Sequence, residues 1–231
     1  MARRMPEDRL EQLVEAAARV FIDQGYARTQ MADVADALGV AKGTLYLYVE
    51  SKDALFDLTA RYVDAPQPFE TRPALPVPTP KRGATVKYVR ERLAHNQAPA
   101  TLVKGLARKR VTDVRTELEA IARELYEIVA RNRRGIKLLD RSARDHPELA
   151  SLWFEDARSG LIELLTRYLE DRTRRKLLRP FPDPAVVARL LIETIVFWAV
   201  HRHWDSHPQV VNEAVAKETV VRFIVSALVK E

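Results

Sequence analysis

The chain contains no cysteine, which removes disulfides, thiolate metal ligands and cysteine nucleophiles together. Glycine is scarce, at 7 of 231 residues, and no sustained period-two alternation appears, so little β-sheet is expected. No glycine-rich phosphate loop, no nucleophile–base arrangement and no metal-ligand cluster is present, and the expectation is a protein that is not an enzyme and needs no cofactor. Long apolar runs are missing as well. The most apolar stretch, 185–200, is interrupted by Arg189 and Glu193, and the start, MARRMPEDRLEQ, lacks the apolar segment of a signal peptide. These absences predict a soluble, cytoplasmic protein with no membrane partner.

What is present is helical. Hydrophobic residues make up 47% of the chain, enough for a sizeable core. Net charge is +6, but it is unevenly placed. Residues 1–64 carry 8 Lys+Arg against 11 Asp+Glu, a balance of −3, while residues 65–231 carry 30 against 21, a balance of +9. A nucleic-acid contact in the N-terminal part must therefore rest on a few placed residues rather than on bulk charge.

The organising stretch is TQMADVADALGVAKGTLYLYVESK, residues 29–52. Met31, Val34, Ala35 and Leu38 recur at helical spacing, with Thr29 as the expected N-cap and Gly39 as the C-terminal turn. A second short helix begins near Gly43. Leu45 and Val49 would face inward, leaving Lys42, Gly43, Thr44, Tyr46 and Tyr48 to face a partner. Helix, glycine-bearing turn and helix with a polar, aromatic outer face make a helix-turn-helix pattern. A preceding helix carries Leu10, Leu13, Val14, Ala17, Val20 and Phe21 on one stripe and ends at Gly25. Ser51 caps a fourth helix, about 52–64.

Residues 65–83 hold six of the thirteen prolines and read as an extended linker, or as a strap packed over the second domain or its pocket. Beyond it lie two short amphipathic pieces, a long helix from about Asp113 to Asn132, a break at Gly135, and a helix opened by His146–Pro147 that runs to about Lys176. Asp183–Pro184 and Asn212 start two further helices. The fold class is all-α: an N-terminal helix-turn-helix domain over 1–52, a connecting helix, a linker over 65–83, and a larger helical domain over 84–231.

The segment MADVADALGVAKGTLYLYVESKDALF, preceded by a helix ending FIDQGY, resembles the TetR family of bacterial transcriptional repressors. The resemblance is strong over residues 9–62, with Val34, Ala41 and Val49 standing where isoleucine, serine and phenylalanine are usual in the family. It implies a homodimer on a near-palindromic double-stranded DNA operator, released by a small-molecule effector; the alternative is a DNA-binding regulator without an effector, acting constitutively or through a protein partner.

Residue chemistry assigns the DNA contacts. Lys52, Tyr48, Thr44 and Thr29 offer donors to phosphate, Lys42 and Gly43 approach base edges, Tyr46 divides between packing and contact, and Arg3 and Arg4 form a minor-groove arm. In the second domain the resemblance places Tyr126, Trp153, Phe154, Phe197, Trp198 and His201 as candidate pocket residues. It places Leu190, Thr194, Phe197, Val220, Ile224 and Leu228 at a four-helix dimer interface. His201, His203 and His207 read as helix C-terminal cations rather than metal ligands. The basic clusters KGLARKR, RNRR and RTRRK read as solvated helix faces, with an anionic effector as the second reading.

Overall fold

The computed structural model describes residues 8–65, 69, 72–95 and 98–230. Among these residues there is no strand, only two isolated bridges, Val49 with Val77 and Leu178 with Val229. No described helix is long and apolar enough to cross a membrane. The chain divides into two compact units. One comprises residues 1–92 and 134–153, the other 93–133 and 154–231. The chain thus enters the second unit, returns to the first for twenty residues, and leaves again.

The first unit contains α1 (Arg9–Gln24), α2 (Met31–Leu38), α3 (Lys42–Leu45), α4 (Lys52–Tyr62), the start of α5 (Ala84–His95), α8 (Arg133–Ser142) and α9 (Pro147–Ala150). The stripe of α1 is buried as its periodicity requires: Leu13, Ala17 and Phe21 are inaccessible, and Val34, Leu45, Val49 and Leu55 of the following segments are equally buried. Phe21 and Phe56 pack edge to face at 5.2 Å, and Tyr26 meets Phe56 at 5.1 Å, closing α1 onto α4. Gly39 takes the left-handed conformation that ends α2, as the turn requires. Thr29 does not cap α2. Gln30 occupies that position, and its N–H donates to the Asp33 carboxylate at 2.8 Å. Ser51 does cap α4, accepting from the Ala54 N–H at 3.1 Å.

The second unit contains α6 (Ala100–Ala107), α7 (Val114–Arg131), α10 (Ser159–Arg174), α11 (Pro184–Ala199) and α12 (Glu213–Leu228). Asp113, Asp183 and Asn212 cap α7, α11 and α12 with their side chains. Leu118, Ile121, Leu125, Leu165, Ala188, Ile195, Val221 and Ile224 form its core. The single long helix expected from His146 is interrupted by a π-helical stretch over Ser151–Arg158, and the break expected at Gly135 falls instead at Asn132.

Each basic cluster keeps exposed members, Lys109, Arg131 and Arg174 among them, while Arg108, Arg134 and Arg172 enter ion pairs. Arg172, fully buried, donates from Nε to Glu117 at 2.9 Å and from Nη2 to the Gly105 carbonyl at 2.6 Å. The Tyr168 hydroxyl donates to the same Glu117 at 3.0 Å, and Arg108 approaches it at 3.2 Å. Burial, then the Glu117 charge, raise the Tyr168 pKa and keep its hydroxyl a donor.

Candidate nucleic-acid interface

The helix-turn-helix grows from short-range signals. In α3 only Leu45 is buried, so the helix is held by one anchor and presents the rest of its surface outward. Lys42 and Gly43 are exposed, Thr44 is half-buried, and Tyr46 is 43% exposed just past the helix end. Leu47 is 60% exposed beside it. A Cβ on Gly43 would meet nothing within 4 Å, so the bare backbone here opens to the exterior. Of the expected contacts, these four residues are the ones brought together on an outward surface.

Three others are turned inward. Thr29 is 1% exposed, and its hydroxyl donates to the Gly25 carbonyl at 2.7 Å. Tyr48 is 4% exposed, packed beneath the turn that follows α3. Lys52 directs its ammonium at the loop between α1 and α2: Nζ donates to the carbonyls of Tyr26 at 2.9 Å and Thr29 at 3.1 Å, with Ala27 at 3.4 Å. It also sits 4.4 Å from the centre of the Tyr26 ring. An ammonium has three donors, and these carbonyls use them. In this geometry Lys52 braces the loop instead of reaching outward. Arg3 and Arg4 lie outside the described residues.

The loop itself is held from a second side. Tyr26 donates its hydroxyl to Asp53, and burial, then that carboxylate, raise its pKa. The Ala27 N–H donates to the Asp145 carboxylate at 3.0 Å, and the His146 ring lies 4.5 Å from that of Tyr26. Arg141 donates to the carbonyls of Ile22 at 3.0 Å and Asp23 at 2.7 Å, satisfying the open C-terminal end of α1. At the far end of α4, the Asp64 carboxylate accepts from the Gly135 N–H at 2.6 Å, and Arg134 pairs with Glu15 at 2.7 Å. Nothing in the sequence pattern marks these contacts, because most of them join positions about a hundred residues apart.

The linker is also built into this unit. Val77 bridges Val49, its N–H donating to the Tyr48 carbonyl at 2.7 Å and its carbonyl accepting from the Glu50 N–H at 3.0 Å. Flanking prolines bias Val77 toward extended backbone, and that was the available signal.

In the second unit Tyr126 is buried, and its hydroxyl donates to Glu213 at 3.1 Å; burial, then the Glu213 charge, push its pKa up to about 12. Glu213 also pairs with Arg133 at 2.9 Å and with Arg202. Phe154, Trp198 and His201 are half-buried and Phe197 is 44% exposed; Trp153 belongs to the first unit, also half-buried. The expected interface residues divide. Leu190 is 61% exposed and Thr194 half-buried on α11, but Val220, Ile224 and Leu228 are each under 5% exposed, because that face of α12 packs into its own core. The exposed apolar residues of α12 are Val215 and Phe223, at 57% and 65%. The His203 Nε2 lies 2.8 Å from Arg133 Nη1 and 3.5 Å from the Glu213 carboxylate. Burial, then Arg133 and Arg202, lower the His203 pKa. No group of three or more described His, Cys, Asp or Glu residues could hold a metal ion.

Residues 13–58 match a family profile described as "Bacterial regulatory proteins, tetR family". The regulator TtgR of Pseudomonas putida is 41% identical over 58 residues, 24% of this chain and 28% of TtgR. The matched stretch thus spans under a third of that relative's length. Over the whole chain the likeness is one of fold. The ketosteroid transcriptional regulator KstR2 of Mycobacterium tuberculosis superposes with a TM-score of 0.58 at 16% identity, covering 98% of each chain. AibR, solved with isovaleryl coenzyme A and operator DNA, superposes with a TM-score of 0.50 at 17% identity, covering 93% of this chain and 97% of AibR. The helix-turn-helix module, residues 13–58, thus carries the sequence signature of the TetR family of bacterial regulatory proteins.

Proposed function

We propose that the protein is a ligand-responsive transcriptional repressor that binds a near-palindromic operator as a homodimer. The observation that carries the reading is the outward surface of α3 and its C-cap, where Lys42, Gly43 and Tyr46 are exposed and Thr44 is half-buried while Leu45 alone anchors the helix. Four residues of this kind on a helix the width of the major groove suit base-edge and phosphate contact. The dimer reading draws on α11 and α12, which carry exposed Val186, Leu190, Phe197, Val215 and Phe223.

The response to an effector draws on residues 134–153. They grip the first unit through Arg141, Asp145, His146 and the Asp64–Gly135 contact, yet both of their chain ends continue into the second unit. An effector that moves α7 or α10 therefore pulls on α1 and α4 through covalent continuity, changing the spacing of the two recognition helices and releasing DNA. In AibR the same fold holds both an acyl-coenzyme A and operator DNA.

Selection of duplexes from random DNA tests this reading. It should enrich two related half-sites about one helical turn apart. Failure to enrich any duplex would contradict it.

A further inference from the structure

The proline-rich strap is pinned beside the recognition helix by four contacts. Two are the backbone bonds of Val77 to Tyr48 and Glu50. In the third, the Thr79 N–H donates to the Glu50 carboxylate at 2.8 Å. In the fourth, the Thr79 and Ser51 hydroxyls lie 2.8 Å apart, at the cap of α4. Two and three residues past this anchor come Lys81 and Arg82, both exposed, before Gly83 turns the chain into α5 with a φ of +78°. An extended chain advances about 3.5 Å per residue, so the Cα atoms of Lys81 and Arg82 stay within roughly 11 Å of that of Thr79.

Charge sharpens the point. Residues 72–83, RPALPVPTPKRG, contain three basic residues and no acidic one, beside an N-terminal part of net charge −3. A purely spacing linker needs neither an anchored register nor charge of one sign. We infer that residues 72–83 form a second DNA-binding element, in which Lys81 and Arg82 hold the phosphate backbone of duplex DNA alongside the groove that α3 enters. Prolines suit the role: by fixing φ they reduce the entropy cost of ordering the segment. The inference rests on the DNA-binding reading above.

The test uses the full chain, a duplex enriched from random DNA, and fluorescence anisotropy across a salt series. Lys81→Ala/Arg82→Ala, at two exposed positions, should fold as the parent does by circular dichroism. It should lower the slope of log affinity against log salt by about 0.9 for each phosphate that is no longer neutralised. Val77→Pro keeps both charges but removes the N–H that fixes the strap on Tyr48, and it should lower the slope too. Lys81→Arg/Arg82→Lys should retain the parent slope. An unchanged slope for the alanine pair would overturn the inference while leaving the DNA-binding reading standing. If the parent binds no duplex specifically, both fall.

Discussion

The Nζ of Lys52 lies 2.9 Å from the carbonyl oxygen of Tyr26 and 4.4 Å above the centre of that residue's own ring. The first residue of α4 is thereby fastened to the loop that joins α1 to α2, and the loop carries the orientation of the helix-turn-helix with it. The same tyrosine meets His146 on its other side, so one aromatic ring is shared by the module and the segment that returns to it.

Replacing Lys52 by alanine should act through folding before it acts on DNA. Removing its bonds to the carbonyls and its place over the ring costs on the order of 1–3 kcal/mol. For a chain of this size each kcal/mol lowers the melting temperature by about 2–4 °C. A thermal melt by circular dichroism checks it. Lys52→Arg, which keeps a cation over the Tyr26 ring, should be destabilised less.

Arg172→Met should be the most damaging single change in the second unit. It strands the Glu117 carboxylate, whose side chain is 4% exposed, with only Tyr168 and the partly exposed Arg108 as partners. Breaking one partner of such a pair costs about 3 kcal/mol or more. Glu117→Gln combined with Arg172→Met removes both charges and should recover part of that stability in denaturant titration. A double variant no better than Arg172→Met would mean that Arg172 acts by packing alone.

Gly135→Ala should weaken the junction of α4 with α8. A Cβ at this position would come within 2.8 Å of the Asp64 carboxylate oxygen that accepts the Gly135 N–H. Relieving the clash moves the carboxylate off the N–H of Gly135 and off that of Arg134, from which it accepts at 3.3 Å. The cost is about 1–3 kcal/mol, read as a lower melting temperature. If the segment transmits effector binding, the variant should also show a smaller effector-induced change in operator affinity.

Acidification should destabilise the Arg133–His203–Glu213 cluster. The folded-state pKa of His203 is lowered below its ordinary 6.5. Above 6.5 the imidazole is neutral in both states and its contribution is complete. As the pH falls from there toward the folded pKa, only the unfolded chain takes the proton, so stability declines. The Glu213 pKa is lowered as well: burial pushes it up, but Arg133, the Tyr126 hydroxyl, Arg202 and His203 outweigh burial, so its share is lost only on acidification below the usual glutamate range. Melting temperatures measured from neutral pH to about pH 5 should fall for the parent and fall less for His203→Asn.

Much of this architecture is written locally. The stripe of α1, the Gly39 turn, the Ser51 cap and the start signals at Asp113, Asp183 and Asn212 each depend on a few neighbouring residues, and each stands where its spacing implies. The site is legible in part for the same reason. Lys42, Gly43, Thr44 and Tyr46 face outward because Leu45 must face inward. Tyr48 and Lys52 were hidden because their surroundings are tertiary, a packed turn and a loop stapled from α8 and α9, whereas Thr29 is spent on a local bond to the Gly25 carbonyl four residues back. Residue type names a donor; only the fold decides what receives it. The α12 face shows the same limit, since periodicity finds Val220, Ile224 and Leu228 but does not say whether their stripe is a core or an interface.

The central claim is that the outer face of α3 reads DNA, and the direct measurement is base preference in Lys42→Ala. On a duplex enriched by the parent and a set of single-base substitutions, anisotropy should show the parent binding about 1–3 kcal/mol more weakly when specific positions are changed. The variant, folded normally because Lys42 is exposed, should lose discrimination at one or two of those positions while retaining most of the salt slope. A variant with the parent's affinity and the parent's preference at every position would contradict the claim.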